Sequence, residues 1–286
     1  MSWQRTSQPE SCCKLLLFID LSIPLNTKTS TDLESINMKV CEQNQAWVDN
    51  GGELTFSHTK FILREGNHYY YALTDRRYGS AADVDPTELS IVSIPTSQIW
   101  PRFPHHYTRV SEPLLRDCHI KEPSLIHYGD TKASTDIASL LLHEAEVCET
   151  LRAHPHPNIA HYLGCRVRDG QITGLCFVRY GKNLLEWMKN GHAVDIDSCL
   201  QGIKNGIKHL HDLGFVHCDV NPANIVMNGT DPIIIDFDSC RRIGEPLGLK
   251  AGTRGWTGED FTSAQREMDD DGILRIRSWL IQMKRV

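Results

Sequence analysis

The spacing of hydrophobic residues changes near residue 105 of this chain. Before that point, short apolar runs at residues 14–19, 55–63, 68–73 and 89–94 are separated by polar turns, a pattern typical of β-strands. Asn50-Gly51-Gly52 is a strong turn signal between two of these runs. Residues 32–48 predict a single helix. We therefore expect a first region that is rich in β-strands.

Beyond residue 106 the periodicity is sharper. Residues 136–152 carry apolar side chains at helical spacing, and residues 195–213 predict a second helix that ends at Gly214. Glu144 lies on the apolar face of the first helix. Because an unpaired buried carboxylate is costly, this position predicts a cationic partner for Glu144.

Two short apolar runs predict a β-hairpin in the second region. Residues 225–227 and 233–235 flank the turn-forming stretch 228–232, which predicts a five-residue turn. Pairing of these strands would bring Asn224 and Asp236 to the same end of the hairpin. The sequence therefore predicts that these two side chains lie close enough to share a metal ion.

Composition narrows the class of protein. The chain has 286 residues, of which 40% are hydrophobic and 23% charged, with a formal net charge of −6. The chain contains no run of lysine or arginine, which argues against nucleic-acid and anionic-membrane partners. The apolar run at residues 15–19 is too short to cross a bilayer, and no signal-peptide cleavage site follows it. We expect a soluble protein of the cytoplasm or the nucleus.

Cysteine and histidine do not predict a metal site. The ten cysteines are scattered and form no C-x-x-C pair, which predicts reduced thiols rather than a disulfide framework or a structural zinc site. Two groups of histidines lack the H-E-x-x-H spacing of zinc enzymes: His154, His156 and His161, and His209, His211 and His217.

The order of polar residues in 217–238 is the strongest functional signal. His217-Cys218-Asp219 is followed five residues after the aspartate by Asn224, and after the predicted hairpin by Asp236-Phe237-Asp238. This order resembles the protein kinase superfamily, which has H-R-D with a later Asn, and then D-F-G. The resemblance implies that Asp219 positions the attacking hydroxyl and accepts its proton. It also implies that Asn224 and Asp236 hold magnesium against the phosphates of ATP.

A second part of the resemblance concerns the lysine that binds the phosphates of ATP. In kinases this lysine lies on a strand and pairs with a glutamate on a helix. Glu144 and the His156-Pro157-Asn158-Ile159 turn after it resemble that helix and its end. We expect Lys121 to be the partner, in preference to Lys132, which follows a loop.

Residues 176–184 resemble the strand and hinge that bind adenine. By this resemblance Phe177 is the gatekeeper, and Val178 and Tyr180 offer backbone hydrogen bonds. The alternative for this segment is a plain core strand that leads into a turn.

The resemblance covers about residues 110–286. Gly252-Thr253-Arg254-Gly255-Trp256 resembles the end of an activation segment, and Asp270 and Leu274 resemble the start of the large C-lobe helix. The motifs look most like those of divergent fungal protein-kinase-like proteins. They imply an α+β, bilobal kinase-like fold with a short C-lobe over residues 106–286. Residues 1–105 either complete the N-lobe or form a separate interaction module.

Four departures from the family pattern bear on activity. Residues 104–121 contain no glycine, so the glycine-rich phosphate loop is missing from its usual place. Cys218 replaces the arginine that receives an activation-loop phosphate, and Asn221 replaces the lysine that steadies the transferring phosphate, which predicts slow chemistry. Asp238 replaces a glycine, so it either restricts the loop or adds a metal ligand.

Three functions are therefore compatible with the sequence. The first is an ATP- and magnesium-dependent phosphotransferase directed at Ser or Thr hydroxyls of a protein that the sequence does not identify. The second is a pseudokinase scaffold that binds ATP weakly or not at all. The third is a small-molecule kinase of the aminoglycoside or choline kinase type, since these share the H-x-D-x-x-x-x-N order.

Overall fold

The computed structural model describes residues 16–20, 38–112, 117–131, 133–248, 252–253, 255–258 and 261–284. The chain divides into two units. The first comprises Met1–Thr96 together with Ser124–Tyr128, and the second comprises Ser97–Pro123 together with Gly129–Val286. Among the helices of the described residues, none is long and apolar enough to span a membrane.

The first unit is built on a five-stranded antiparallel sheet whose strands follow one another in chain order. Gly51 and Gly52 have positive φ angles of 74° and 99° and turn the chain between the second and third strands, as their sequence predicts. The strands are β1 (Leu16–Asp20), β2 (Lys39–Asp49), β3 (Leu54–Glu65), β4 (His68–Thr74) and β5 (Ile91–Ile94). Two 3₁₀ turns, Ala81–Asp83 and Pro86–Glu88, connect β4 to β5.

The predicted helix at residues 32–48 is wrong where it can be compared with the structure. Residues 39–48 lie in β2, which pairs with β1 on one side and β3 on the other, while residues 32–37 lie outside the described part of the chain. Pairing on both sides satisfies the backbone groups of a central strand. This long-range pairing outweighs the local spacing of apolar residues that predicts a helix.

A short segment from later in the chain belongs to the first unit. The Glu42 carboxylate on β2 accepts hydrogen bonds from the Ser124 hydroxyl at 2.5 Å and from the Leu125 N–H at 2.7 Å. The buried Lys60 on β3 donates to the Tyr128 carbonyl at 2.6 Å. Leu125 is 1% exposed. The segment Ser124–Tyr128 is therefore held by buried apolar contact and by charge-assisted hydrogen bonds.

The second unit contains a three-stranded antiparallel sheet. Its strands are β6 (Cys118–Lys121), β7 (Tyr162–Arg168) and β8 (Gln171–Val178), in the spatial order β6-β8-β7. Residues 108–110, which precede β6 in the chain, lie along β7: the Cys165 N–H donates to the Thr108 carbonyl at 2.7 Å, and the Val110 N–H donates to the Cys165 carbonyl at 3.0 Å. They thus follow the edge of the sheet opposite β6.

Helices and short strands complete the second unit. A two-stranded pair joins β9 (Phe215–Val216) to β12 (Arg241–Arg242), and a hairpin joins β10 (Ile225–Asn228) to β11 (Asp231–Ile234). Two 3₁₀ turns occur at Ala133–Thr135 and Pro222–Asn224. The helices are α1 (Thr96–Ile99), α2 (Ile137–Ala153), α3 (Leu184–Lys189), α4 (Ile196–Asp212) and α5 (Arg266–Met283).

Helix α4 forms where its sequence predicts, and it packs closely on the β10–β11 hairpin. The Asp195 carboxylate accepts from the Ser198 N–H and caps the start of the helix, and Gly214, at φ 84°, follows its end. A Cβ atom on Gly206 would lie 2.7 Å from Ile234 Cδ1. This close contact fixes the hairpin against the helix and positions both ends of the hairpin.

The hairpin itself has a shorter turn than predicted. β10 and β11 pair as far as Asn228 and Asp231, so the turn contains the two residues Gly229 and Thr230 rather than five. Gly229 adopts φ 63°, which two-residue hairpin turns require at their first central position. The predicted turn is too long because it includes Pro232, which pairs with Met227 within the ladder.

Candidate active site

A buried ion pair connects the sheet of the second unit to helix α2. Lys121 ends β6, and its Nζ lies 2.6 Å from Glu144 Oε1 and 2.8 Å from Oε2. Glu144 is 3% exposed, so an ammonium partner compensates a carboxylate that would otherwise be costly to bury. The structure thus brings the predicted lysine and glutamate together. Lys132, the other lysine considered, lies outside the described residues.

The same lysine reaches two further carboxylates. Lys121 Nζ lies 2.7 Å from Asp236 Oδ1 and 3.7 Å from Asp238 Oδ2. Burial alone would lower the pKa of Lys121, but the negative charges of Glu144, Asp236 and Asp238 outweigh burial and hold this pKa well above its usual value. Burial is also the main cause that raises the pKa of Glu144. The lysine is therefore a fixed positive charge among three acids.

Asp219 lies in a loop where four hydrogen bonds hold its carboxylate. Oδ1 accepts from Asn221 Nδ2 at 3.0 Å and from the Thr253 N–H at 2.8 Å. Oδ2 accepts from Asn224 Nδ2 at 3.0 Å and from the Thr253 hydroxyl at 3.1 Å. These contacts fix the orientation of the carboxylate, and among the described residues none of them comes from a cation of the kind that Asn221 replaces.

Asn224 and Asp236 meet at the open end of the hairpin. The Ile235 N–H donates to the Asn224 carbonyl at 3.0 Å. Asp236 is the next residue in the chain. Since Asn224 Nδ2 donates to Asp219, its Oδ1 is left as an acceptor. Within the described residues, no group of three or more His, Cys, Asp or Glu side chains is arranged to hold a metal. Two oxygen ligands nevertheless suit Mg²⁺, which is commonly held by one or two carboxylates together with substrate phosphates.

Asp269 on α5 is a site residue that the sequence prediction missed. Its Oδ1 accepts from the Cys218 N–H at 2.9 Å, and its Oδ2 accepts from the His217 N–H at 2.9 Å and contacts His211 Nε2 at 2.8 Å. Asp269 is 0% exposed, whereas the residue singled out in the sequence, Asp270, is exposed. The signal that could have found it is an aspartate on the buried stripe of a helix, which is the signal that identifies Glu144.

Two non-glycine residues of the site have left-handed backbone conformations. Cys218 adopts φ 64° and Asp236 adopts φ 65°. For residues with a Cβ atom such angles cost about 1–3 kcal/mol and persist where the surroundings enforce them. At Cys218 the enforcing contact is the hydrogen bond from its N–H to Asp269. At Asp236 it is the ion pair with Lys121.

A cleft of about 470 Å³ lies between the β6–β8 strands and the β10–β11 hairpin. Phe177, Val178 and Tyr180, the residues predicted for adenine, all line it. The Val178 N–H already donates to the His161 carbonyl at 3.0 Å, so the Val178 carbonyl is the group left to accept from a ligand. The remaining lining residues are His119, Lys121, Ala160, Arg179, Gly181, Lys182, Asn183, Glu186, Val226, Ile235 and Asp236.

Comparison with known proteins identifies the family of this chain. The protein kinase domain model matches residues 126–268, which is half of the chain. The chain belongs to the protein kinase domain family. The match includes α2 with Glu144, residues 217–224 and Asp236, and it begins after Lys121.

Individual relatives are also serine/threonine-protein kinases or MAP kinase kinase kinases. The serine/threonine-protein kinase/endoribonuclease IRE1 of Hypocrea jecorina is 30% identical over 138 residues, or 41% of this chain and 11% of that protein. The serine/threonine-protein kinase Tao of Drosophila melanogaster is 29% identical over 133 residues, or 45% of this chain and 13% of that protein. The MAP kinase kinase kinase SSK2 of Saccharomyces cerevisiae is 28% identical over 151 residues, or 51% of this chain and 9% of that protein. The chain thus spans 9–13% of the length of these relatives.

Proposed function

We propose that this chain is an ATP- and magnesium-dependent phosphotransferase that acts on a Ser or Thr hydroxyl of a protein substrate. The main support for the proposal is that one hairpin connects the group around Lys121 with the group around Asp219. Asp236 contacts Lys121 and Glu144 lies against that lysine, while Asn224, at the other strand of the hairpin, contacts Asp219. The phosphate-binding and proton-accepting residues are thereby positioned by the same structural element.

The residues divide the chemistry among them. Lys121 neutralises negative charge on the phosphates of ATP, and Glu144 holds the lysine in the cleft. Asp219 orients the hydroxyl of the substrate and accepts its proton. Asn224 and Asp236 would supply oxygen ligands to magnesium, which would neutralise charge at the phosphates when bound. The acceptor hydroxyl would take the place of the Thr253 hydroxyl beside Asp219 Oδ2.

Slow turnover is part of the proposal. The Asn221 side chain donates to Asp219 and accepts from the Ala223 N–H at 2.9 Å, so it is engaged within the loop and carries no charge for the transferring phosphate. Residues 108–110 run along β7 rather than beside β6, so this part of the chain does not cover the phosphate end of the cleft. Both features leave fewer groups to stabilise charge in the transition state.

The uncovered phosphate end of the cleft also favours an alternative function, a scaffold that binds ATP without turning it over. Among the described strands, β6 pairs with β8 alone, and its other edge carries no strand. In active kinases a glycine-rich loop covers the phosphates. A site without such a cover retains nucleotide less firmly, and the alternative therefore predicts weak ATP binding and no phosphate transfer.

We also propose a finer placement of this chain within the kinase family. The motifs at residues 217–224 and 252–256 support membership of a fungal kinase-like subgroup, with a bilobal domain over residues 106–286 and a preceding β-rich region that either completes the N-lobe or forms a separate module. A location in the cytoplasm or the nucleus goes with this placement.

The decisive experiment compares the wild-type chain with Asp219→Asn in the presence of magnesium and labelled ATP. Label transfer to the protein itself or to a generic acceptor, abolished in the variant, is expected for an enzyme. Absence of transfer together with magnesium-dependent thermal stabilisation by ATP would favour the scaffold. If ATP neither stabilises the chain nor is consumed, both nucleotide functions are wrong.

A further inference from the structure

His119 projects a flat aromatic ring into the cleft from the strand that carries Lys121. Residues two apart on a strand point to the same face, so His119 and Lys121 share the side of β6 that faces the cleft. His119 is also directly opposite Phe177 in the β6–β8 register. Directly opposed residues lie on one face of a sheet, which agrees with both side chains lining the cleft.

The residue type at this position is unusual for the family. Cys118-His119-Ile120-Lys121 occupies the place of the kinase V-A-I-K motif, so an imidazole stands where the motif has a methyl group. A small side chain leaves room and makes little contact. An imidazole instead supplies a ring of a size that can lie against a purine.

The surroundings keep this ring neutral and available. Burial, together with the nearby charges of Arg179 and Lys121, lowers the pKa of His119 below its ordinary value of 6.5. The Arg179 guanidinium donates to the Cys118 carbonyl at 2.9 Å, so it is engaged by the backbone of the strand that carries His119. Val226 and Ile235 from the hairpin line the same cleft and form its apolar side.

We propose that His119 is a specificity-determining residue that stacks on the purine base of the nucleotide, with Val226 and Ile235 on the other face of the base. This inference rests on the proposed nucleotide-binding function and adds the way in which the base is held. Stacking on the imidazole provides an area of contact that a methyl group at this position could not provide. The ring thereby helps to hold the nucleotide at an edge of the sheet that residues 108–110 leave uncovered.

The test measures the binding of three magnesium complexes by calorimetry: ATP, CTP and inorganic tripolyphosphate. His119→Ala removes the ring, His119→Phe keeps a ring of similar width without its nitrogens, and His105→Ala is the control, since His105 is exposed and does not line the cleft. His119 is itself exposed enough that neither substitution removes core contacts. Melting temperatures of all variants check that each one is folded.

We expect His119→Ala to weaken ATP binding by roughly five- to a hundredfold, the effect typical of removing one aromatic ring that stacks on a base. The preference for ATP over CTP should fall, because a purine offers more area for stacking. His119→Phe should keep ATP affinity within about threefold of wild type. Tripolyphosphate affinity should be the same in all four proteins.

Three results would overturn the proposal. Equal or tighter ATP binding by His119→Ala would mean that the imidazole obstructs the cleft. Loss of tripolyphosphate binding in that variant would mean that His119 acts on the phosphate end, and loss of ATP binding in His119→Phe would mean that a nitrogen of the ring is required. A wild-type chain that binds none of the three ligands would instead contradict the proposed function, and the inference with it.

Discussion

The Cys218 N–H donates to Asp269 Oδ1 at 2.9 Å, and this bond ties the loop that contains Cys218 and Asp219 to helix α5. The second oxygen of the same carboxylate holds the His217 N–H. A single side chain from 51 residues away in the chain thus satisfies two successive backbone donors that are buried from water. The left-handed conformation of Cys218 depends on this anchor.

Replacement of Asp269 by asparagine should therefore destabilise the fold. An amide can accept with one atom alone, so one buried N–H of the loop is left without a partner. The expected decrease is about 1–3 kcal/mol in the free energy of unfolding, measured by urea denaturation. Phosphotransfer activity should fall by more than the loss of folded protein explains, because Asp219 follows directly after the two anchored residues.

Asp270→Asn is the matched control, since Asp270 is the next residue on α5 and is exposed. It should change the free energy of unfolding by less than about 0.5 kcal/mol. Equal decreases in the free energy of unfolding for the two variants would show that the Asp269 contacts do not stabilise the fold.

The pair of Lys121 and Glu144 should behave as one unit in a double-mutant cycle. Lys121→Met leaves the buried Glu144 without its cation, which typically costs about 3–5 kcal/mol. Adding Glu144→Gln removes the uncompensated charge, so the double variant should be more stable than the sum of the single effects predicts. Urea unfolding of the four proteins measures the coupling. Strict additivity would mean that the ion pair does not persist in solution.

The Lys121 ion pair also predicts how stability depends on pH. The pKa of Lys121 is raised in the folded protein above its ordinary value of 10.5, so its contribution is fully present below that pH. The contribution is lost as the pH rises through the folded-state pKa. The difference in unfolding free energy between wild type and Lys121→Met should thus reach its full value by about pH 10, once the unpaired Glu144 of the variant is ionised, and narrow above. Narrowing near neutral pH would indicate a lowered pKa and a deprotonated lysine.

Restoring the family arginine at position 218 should harm this protein rather than help it. Cys218 is 1% exposed and packs with Val216, Ala264 and Met268, and burial raises the pKa of its thiol to about 12. An arginine there would put a charge into an apolar cluster. We expect Cys218→Arg to lower the free energy of unfolding by about 3 kcal/mol or more.

The exposed Cys41 provides the control for this substitution. Cys41→Arg should change stability by less than about 0.5 kcal/mol. A stable Cys218→Arg variant whose activity rises after phosphorylation of the activation segment would contradict the burial argument. That result would show that the apolar cluster opens to admit an arginine.

The relation of Lys121 to Glu144 could be anticipated, because an acid on the apolar stripe of a long helix requires a cation and the resemblance to kinases points to Lys121 as that cation. The hairpin that places Asn224 and Asp236 at one end could also be anticipated, since two apolar runs flank a turn-forming stretch with Gly229. These are local patterns. Such patterns predict which residues are close in the hairpin, and they predict one long-range contact, the ion pair of Lys121 with Glu144.

Other features depend on distant partners that no local pattern specifies. Residues 42–45 of β2 carry no strand signal of their own. They form a strand because they pair with β3, and Asn44 and Gln45 also pair with β1. The role of Asp269 follows from where α5 packs, and Asp270, the residue that the family pattern indicates, is one position away from it. Likewise the path of residues 108–110 along β7 is decided by pairing with Cys165, which the sequence does not specify.

The contacts of Ser124–Tyr128 have a practical consequence for anyone who divides the chain by protein engineering. The first unit is discontinuous, so a cut at residue 105 would separate Glu42 and Lys60 from the segment that they bind. A fragment starting at residue 106 would carry Leu125 and Tyr128 without the strands that bury them. Circular permutation, or a deletion that spares this segment, is a sounder way to isolate either unit than truncation at one end.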